Sequence, residues 1–180
     1  MHELNALLIA FQDFFSAGGD VLWLILAVTV LLWGLIIERF WFYARRYPRE
    51  LNETLQRWNE RDDHRSWYAH RVREALISSL ELRLQRYVPV IKTLVAVLPL
   101  LGLLGTITGM IQVFDVLAVM GTGDPRAMAN GVSAATIPTM AGMVTALSGL
   151  YFGVYFERRA KAETRLLADR MAIAGGLHHA

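Results

Sequence analysis

Residues 21–37, 93–114 and 127–156 contain no Asp, Glu, Lys, Arg or His. Each run is long enough, or nearly so, to cross a hydrocarbon core of roughly 30 Å at about 1.5 Å per residue. Core helices of a soluble bundle would carry polar residues every second or third position, and these runs do not. The chain therefore reads as an all-α membrane protein with three transmembrane helices. Charge makes up 19% of the composition and lies almost wholly between and after the runs.

Of the 18 Lys and Arg residues, 12 fall from Arg39 to Lys92 and five from Arg158 to Arg170; the remaining one is Arg126. Basic residues stay on the cytoplasmic side, so the N-terminus is expected outside and the C-terminus in the cytoplasm. The N-terminal stretch lacks a basic region and a cleavage motif, so the first span is expected to be retained. There is no cysteine, which excludes disulfides and thiolate metal sites. The pI of about 9.1 follows from this topology and implies no nucleic-acid binding.

The expected organisation is an amphipathic outer segment over 1–19, broken at Gly18-Gly19, and a first span over 20–43. A cytoplasmic helical segment follows over 44–88, then a second span over 89–119. A loop over 120–130 leads to the third span, 131–156, and a cytoplasmic helix over 157–180. Phe40, Trp41, Phe42 and Tyr43 are placed at the inner interface, where aromatic rings are favoured. Arg45, Arg46 and Arg49 beside them are candidates for anionic lipid headgroup contacts. Pro48 suits an early helical position, and Val72, Leu76, Leu80, Leu84 and Tyr87 recur at helical spacing. Pro99 predicts a kink in the second span. His64 and His70 are six apart on different helix faces, which argues for a solvated surface and no metal. No phosphate loop and no nucleophile–base–acid set is present, so the chain is not read as an enzyme.

Small residues interrupt the spans in a pattern. Steps of four and three from Gly131 give Ala135, Thr139, Gly142, Ala146, Gly149 and Gly153, all small, on one narrow stripe at about 100° per residue. In the second span Gly102, Thr106 and Gly109 share a face, and Gly105 adds to the small set. Small stripes let helices approach closely in lipid. The stripe can serve packing of the second span on the third, or face a lumen in an oligomer.

The polar side chains inside these two spans are chiefly Thr106, Thr108, Gln112, Asn130, Ser133, Thr136, Thr139, Thr145 and Ser148. Hydroxyls hydrogen-bond a carboxyl group or a water but do not titrate near neutrality. A proton pathway relies on a titratable relay, so if this chain moves protons a partner supplies the carboxylate.

"LPLLGLLGTITGMIQVF" and "GVSAATIPTMAGMVTALSGLYF" resemble the second- and third-span signatures of the ExbB/TolQ/MotA group of inner-membrane motor proteins, over roughly residues 89–160. Three spans and an outside N-terminus are similar to ExbB and TolQ and unlike the four-span MotA branch. The resemblance implies a homopentameric ring around the single-span helices of an ExbD-like partner carrying an intramembrane Asp. It also implies a TonB-like protein and use of the proton-motive force to energise import of iron-siderophore, haem or vitamin B12. Protons would be the coupling ion, with no cofactor and with phospholipid as a further bound component. Carried over by position, Thr106 and Thr139 match the family's pore-facing threonines.

The sequence departs from the pattern at Ala134, which stands where many relatives carry a glutamate. Three other readings stay open. A TolQ-like envelope role fits the same motifs. A self-sufficient channel would need an ion site inside the spans, for which only the prolines give a hint. A passive scaffold would function without protons.

Overall fold

The computed structural model describes residues 2–61, 63–64, 66–120 and 125–171, with side-chain placement from Gly18 onward except at 120, 125, 127 and 130. All described regular structure is helical. Helix α1 spans His2–Trp41 and is interrupted at Gly19, where φ is 67° and ψ −169°. That left-handed φ costs a side-chain-bearing residue roughly 1–2 kcal/mol, which is why the break falls on glycine. Residues 1–17 of the expected amphipathic segment lie outside the described side chains.

A π-helical turn, Phe42–Arg46, joins α1 to α2, Tyr47–Asn59, which carries its proline in the first turn. Helix α3, Trp67–Gln85, is capped by Ser66, whose hydroxyl accepts from the Ala69 amide at 3.1 Å. Helix α4, Val88–Met120, continues through Pro99, where the sequence predicts a kink. Helix α5, Pro125–Arg170, continues through Pro138. Residues 125–130, expected as loop, are thus helical, and a proline opens the helix where its missing N–H costs nothing.

Three helical stretches, inside Gly18–Asn59, Trp67–Val119 and Gly131–Arg170, are long and apolar enough to cross a membrane. Only 22–28% of their apolar windows is buried within the chain. Trp23, Val30, Leu100, Phe114, Val144 and Leu147 point outward. An apolar surface of that extent is stable only against lipid or other protein.

By internal contacts the chain forms two compact units, Met1–Gly34 with Ile91–Tyr151, and Leu35–Val90 with Phe152–Ala180. In the first, α4 and α5 run antiparallel: Val95 meets Gly149, Leu98 meets Gly142, Gly102 meets Thr139 and Val113 meets Gly131. In the second, buried rings from the π-helical turn and α5 pack together, with Tyr43 and Phe156 stacked at 5.8 Å, and the half-exposed Phe40 of α1 lies edge-on to Phe156 at 5.3 Å. Arg73 of α3 donates to the carbonyls of Ala168 and Met171 at 2.6 and 2.7 Å. It thereby satisfies groups that the end of α5 leaves without intrahelical partners.

Candidate functional site

The seam between α4 and α5 is built on glycine because backbone meets backbone there. A methyl group at Gly109 would stand 2.6 Å from Ala135 Cα, and one at Gly142 would stand 2.6 Å from Leu98 O. At Gly102 it would reach Thr139 Cα at 3.0 Å. The Pro138 ring, fully buried, fills the notch left by Gly105. Gly131 receives Val113, and Gly149 receives Val95 and Leu32. Ala135 and Ala146 are buried in the same row, and Gly153 is buried in the second unit. Of the two uses open to the small stripe, packing within the chain accounts for these positions.

Helix α1 covers one edge of the seam, where Val21 approaches Gly105. Thr106 stands about 100° past Gly105 on α4, and Thr139 about 100° past Pro138 on α5. Because the helices are antiparallel, the same sense of rotation carries both threonines to the same edge, the one away from Val21. Both are half-buried there, and Thr136 lies exposed farther round the same side. Thr145 and Ser148 fall on the other side of α5. Helical phase thus puts Thr106 and Thr139 on the same edge of the seam, away from the Val21 approach.

The hydroxyl protons of this flank all point at backbone. Thr106 donates to Leu103 O at 2.6 Å, and Thr136 to Val132 O or Ser133 O at 3.1 and 3.2 Å. Thr139 donates across the seam to Gly102 O at 3.0 Å, with Ala135 O of its own helix at 3.4 Å. A carbonyl can only accept, so each threonine oxygen spends its proton there and keeps lone pairs able to accept. A neutral carboxyl group can donate to such a face as it stands. A carboxylate can only accept, so it is received only when one of these hydroxyls, such as Thr139, swings its proton away from its carbonyl. Neither 93–114 nor 127–156 holds an Asp, Glu, Lys, Arg or His of its own.

The second unit holds residues that the sequence does not single out. Arg39 is 2% exposed. Its guanidinium lies 4.8 Å from the Phe42 ring and 4.7 Å from the Tyr87 ring, and donates to Arg83 O at 3.1 Å and to Glu38 Oε2 at 2.7 Å. Tyr47 donates to Glu163 Oε2 at 2.7 Å. Burial, and then this bond to a carboxylate, push the Tyr47 phenol well above the usual tyrosine range. The aromatic cluster expected at the interface divides: Phe40 and Trp41 are exposed, whereas Phe42 and Tyr43 are buried. Arg45, Arg46 and Arg49 are all exposed. A buried arginine beside an exposed glutamate reads in sequence as an ordinary charged flank, and only the rings around it reveal otherwise. Among the described residues no cluster of His, Asp and Glu could hold a metal.

Residues 45–169 match the MotA/TolQ/ExbB proton channel family. Two proteins of Synechocystis sp., named as biopolymer transport proteins ExbB-like 1 and ExbB-like 3, are each 29% identical to this chain over 172 residues. The alignments take in 77% and 78% of this chain, and 67% and 82% of the relatives. The family match runs through all of α2, α3 and α4 and nearly all of α5, including the seam and its threonine flank. The chain belongs to the MotA/TolQ/ExbB proton channel family.

Proposed function

We propose that this chain is the ring subunit of a proton-driven motor in the bacterial inner membrane. Five copies would surround the single-span helices of an ExbD-like partner bearing an intramembrane Asp. With a TonB-like protein the complex would energise import of iron-siderophore, haem or vitamin B12 across the outer membrane. In this reading the N-terminus and the α4–α5 connection lie outside, and residues 44–88 and the end of α5 lie in the cytoplasm. One observation carries the reading: helical phase puts Thr106 and Thr139 on one edge of the seam, away from Val21, within stretches 93–114 and 127–156 that hold no Asp, Glu, Lys, Arg or His.

The chemistry follows from the hydroxyls. An ionised carboxylate at mid-bilayer costs roughly 3 kcal/mol or more, so the partner's acid is neutral there unless polar groups receive it. A neutral acid donates to Thr139 while the Thr139 proton stays on Gly102 O. When the acid ionises, Thr139 must rotate to donate to it and gives up the Gly102 bond. Each proton that crosses carries about 2.3 kcal/mol per 100 mV of membrane potential. Repeated from one subunit to the next, this exchange of donor and acceptor would step the partner helix round the ring.

The test is growth of a deletion strain under iron limitation with a siderophore as sole iron source. Wild type should restore growth and Thr139→Val should not. If the deletion grows normally but becomes detergent-sensitive or forms chains, the TolQ-like reading replaces this one.

A further inference from the structure

We propose that Arg45, Arg46 and Arg49, with Trp41, form a binding site for the headgroup of an anionic phospholipid. All three arginines are exposed, and none has a carboxylate partner among the described residues. Exposed Arg71, Arg83 and Arg159 each have one, in Glu74, Glu50 and Glu163. The acids nearest along α2 are turned elsewhere: Glu50 pairs with Arg83 at 3.4 Å, and Glu53 lines the cleft toward Ser79 and Leu80 of α3.

The π-helical turn produces this arrangement. A wider turn between Phe42 and Arg46 lets Phe42, Tyr43 and Tyr47 all enter the core. It collects Ala44, Arg45 and Arg46 on the outer side. Such turns are rare and concentrate at functional sites. The guanidinium of Arg45 lies over the Trp41 ring at 5.4 Å. Trp41 is 63% exposed and Ile37 61%.

Exposed Ile37, Phe40 and Trp41 therefore adjoin a basic cluster that begins at Arg45, which lies over Trp41, and continues in exposed Arg46 and Arg49. Acyl chains match the apolar side chains, and a phosphate oxygen pair matches a guanidinium fork, which a lysine cannot reproduce. Tryptophan at that boundary is where an amphipathic ring is favoured. A soluble acidic partner would leave the apolar side chains in water. A zwitterionic lipid would leave the charge unbalanced. An anionic phospholipid satisfies both halves.

The test uses the purified full chain reconstituted in vesicles of equimolar phosphatidylcholine and phosphatidylglycerol. After re-extraction in mild detergent, the co-purifying lipid is measured by mass spectrometry. Phosphatidylglycerol should be enriched over its share in the vesicle, and the enrichment should fall by about fivefold for each arginine changed in the series Arg45→Gln, Arg46→Gln and Arg49→Gln. Lysine at the same three positions should restore only part of it. The pair Arg158→Gln and Arg165→Gln, exposed arginines on α5, should leave it intact. Lipid retained at the vesicle ratio by wild type, enrichment unchanged in the triple variant, or an equal loss in the α5 pair would each overturn the site. Unchanged helicity and elution volume of the variants would exclude misfolding as the cause.

Discussion

Thr139 Oγ1 stands 3.0 Å from the carbonyl oxygen of Gly102, across the seam between α4 and α5. That carbonyl belongs to a helical residue, so it already has a backbone donor, and the threonine proton is an additional bond that can be withdrawn. Cross-helix side-chain bonds in membranes average about 0.6 kcal/mol. The bond is therefore cheap to break, which suits the proposed switch of Thr139 between accepting and donating.

Thr139→Val should cost less than about 1 kcal/mol of stability yet abolish proton-coupled growth, because valine has the shape without the hydroxyl. Thr139→Ser should keep most activity. Siderophore uptake measured beside detergent unfolding separates the two effects. Parallel loss of stability and uptake in Thr139→Val, with no rescue by serine, would reduce Thr139 to a packing residue.

The seam itself predicts which glycines are replaceable. A methyl group at Gly109 or Gly142 meets the backbone of the facing helix at 2.6 Å, and neither backbone can turn aside. Gly109→Ala and Gly142→Ala should each destabilise by about 1–3 kcal/mol. Gly34 of α1 has nothing within 4 Å of a built methyl group. Gly34→Ala should be neutral or stabilising by up to about 1 kcal/mol through helix propensity. Unfolding curves in one detergent for the three variants give the comparison directly.

These glycines also mark what the sequence makes legible. The spacing from Gly131 to Gly153 shows that one face of α5 is small, and the uncharged runs show where the apolar helices lie. Whether the stripe packs inside the chain or lines a lumen depends on which helix stands opposite, and spacing carries no information on that. The position of Thr106 and Thr139 on one edge likewise needs the antiparallel phase of two helices. Between Phe40 and Tyr43 the failure is local. A π turn changes the rotation per residue, so a run of four aromatics that reads as one interfacial belt divides into two exposed and two buried rings.

Arg39 is the residue that the sequence disguises most. It closes the end of α3 by donating to Arg83 O, while Tyr43 reaches Leu84 O at 3.4 Å. The rings of Phe42 and Tyr87 hold its guanidinium. Desolvated cation–π contacts contribute up to about 2 kcal/mol, and a net hydrogen bond about 1 kcal/mol. Arg39→Gln should destabilise by about 2–3 kcal/mol on that basis. Arg39→Lys should recover less than half, because an ammonium cannot reach the carbonyl and Glu38 and still cover both rings. Hydrogen exchange should quicken at residues 83–88 in both variants. Protection unchanged there would show that the joint between α3 and α4 is held by something else.

The bond from Tyr47 to Glu163 predicts an alkaline signature. The folded phenol titrates above its unfolded value of about 10, chiefly because it is buried and next because it donates to a carboxylate; neighbouring Tyr43 raises it further, and Arg170 opposes the shift. The unfolded chain therefore loses this proton first as pH rises. The resulting stability is present in full below about pH 10 and is lost progressively above it, toward the folded value. Tyr47→Phe should cost about 1 kcal/mol near neutrality, for the hydrogen bond, and should show a shallower loss of stability above pH 10 than wild type. Glu163→Gln keeps an acceptor for the phenol but removes the charge, so it should reduce the alkaline slope while retaining part of the neutral stability. Unfolding free energy measured across that pH range for the three proteins decides the matter: equal alkaline slopes would mean that Tyr47 is not the group whose proton the fold retains.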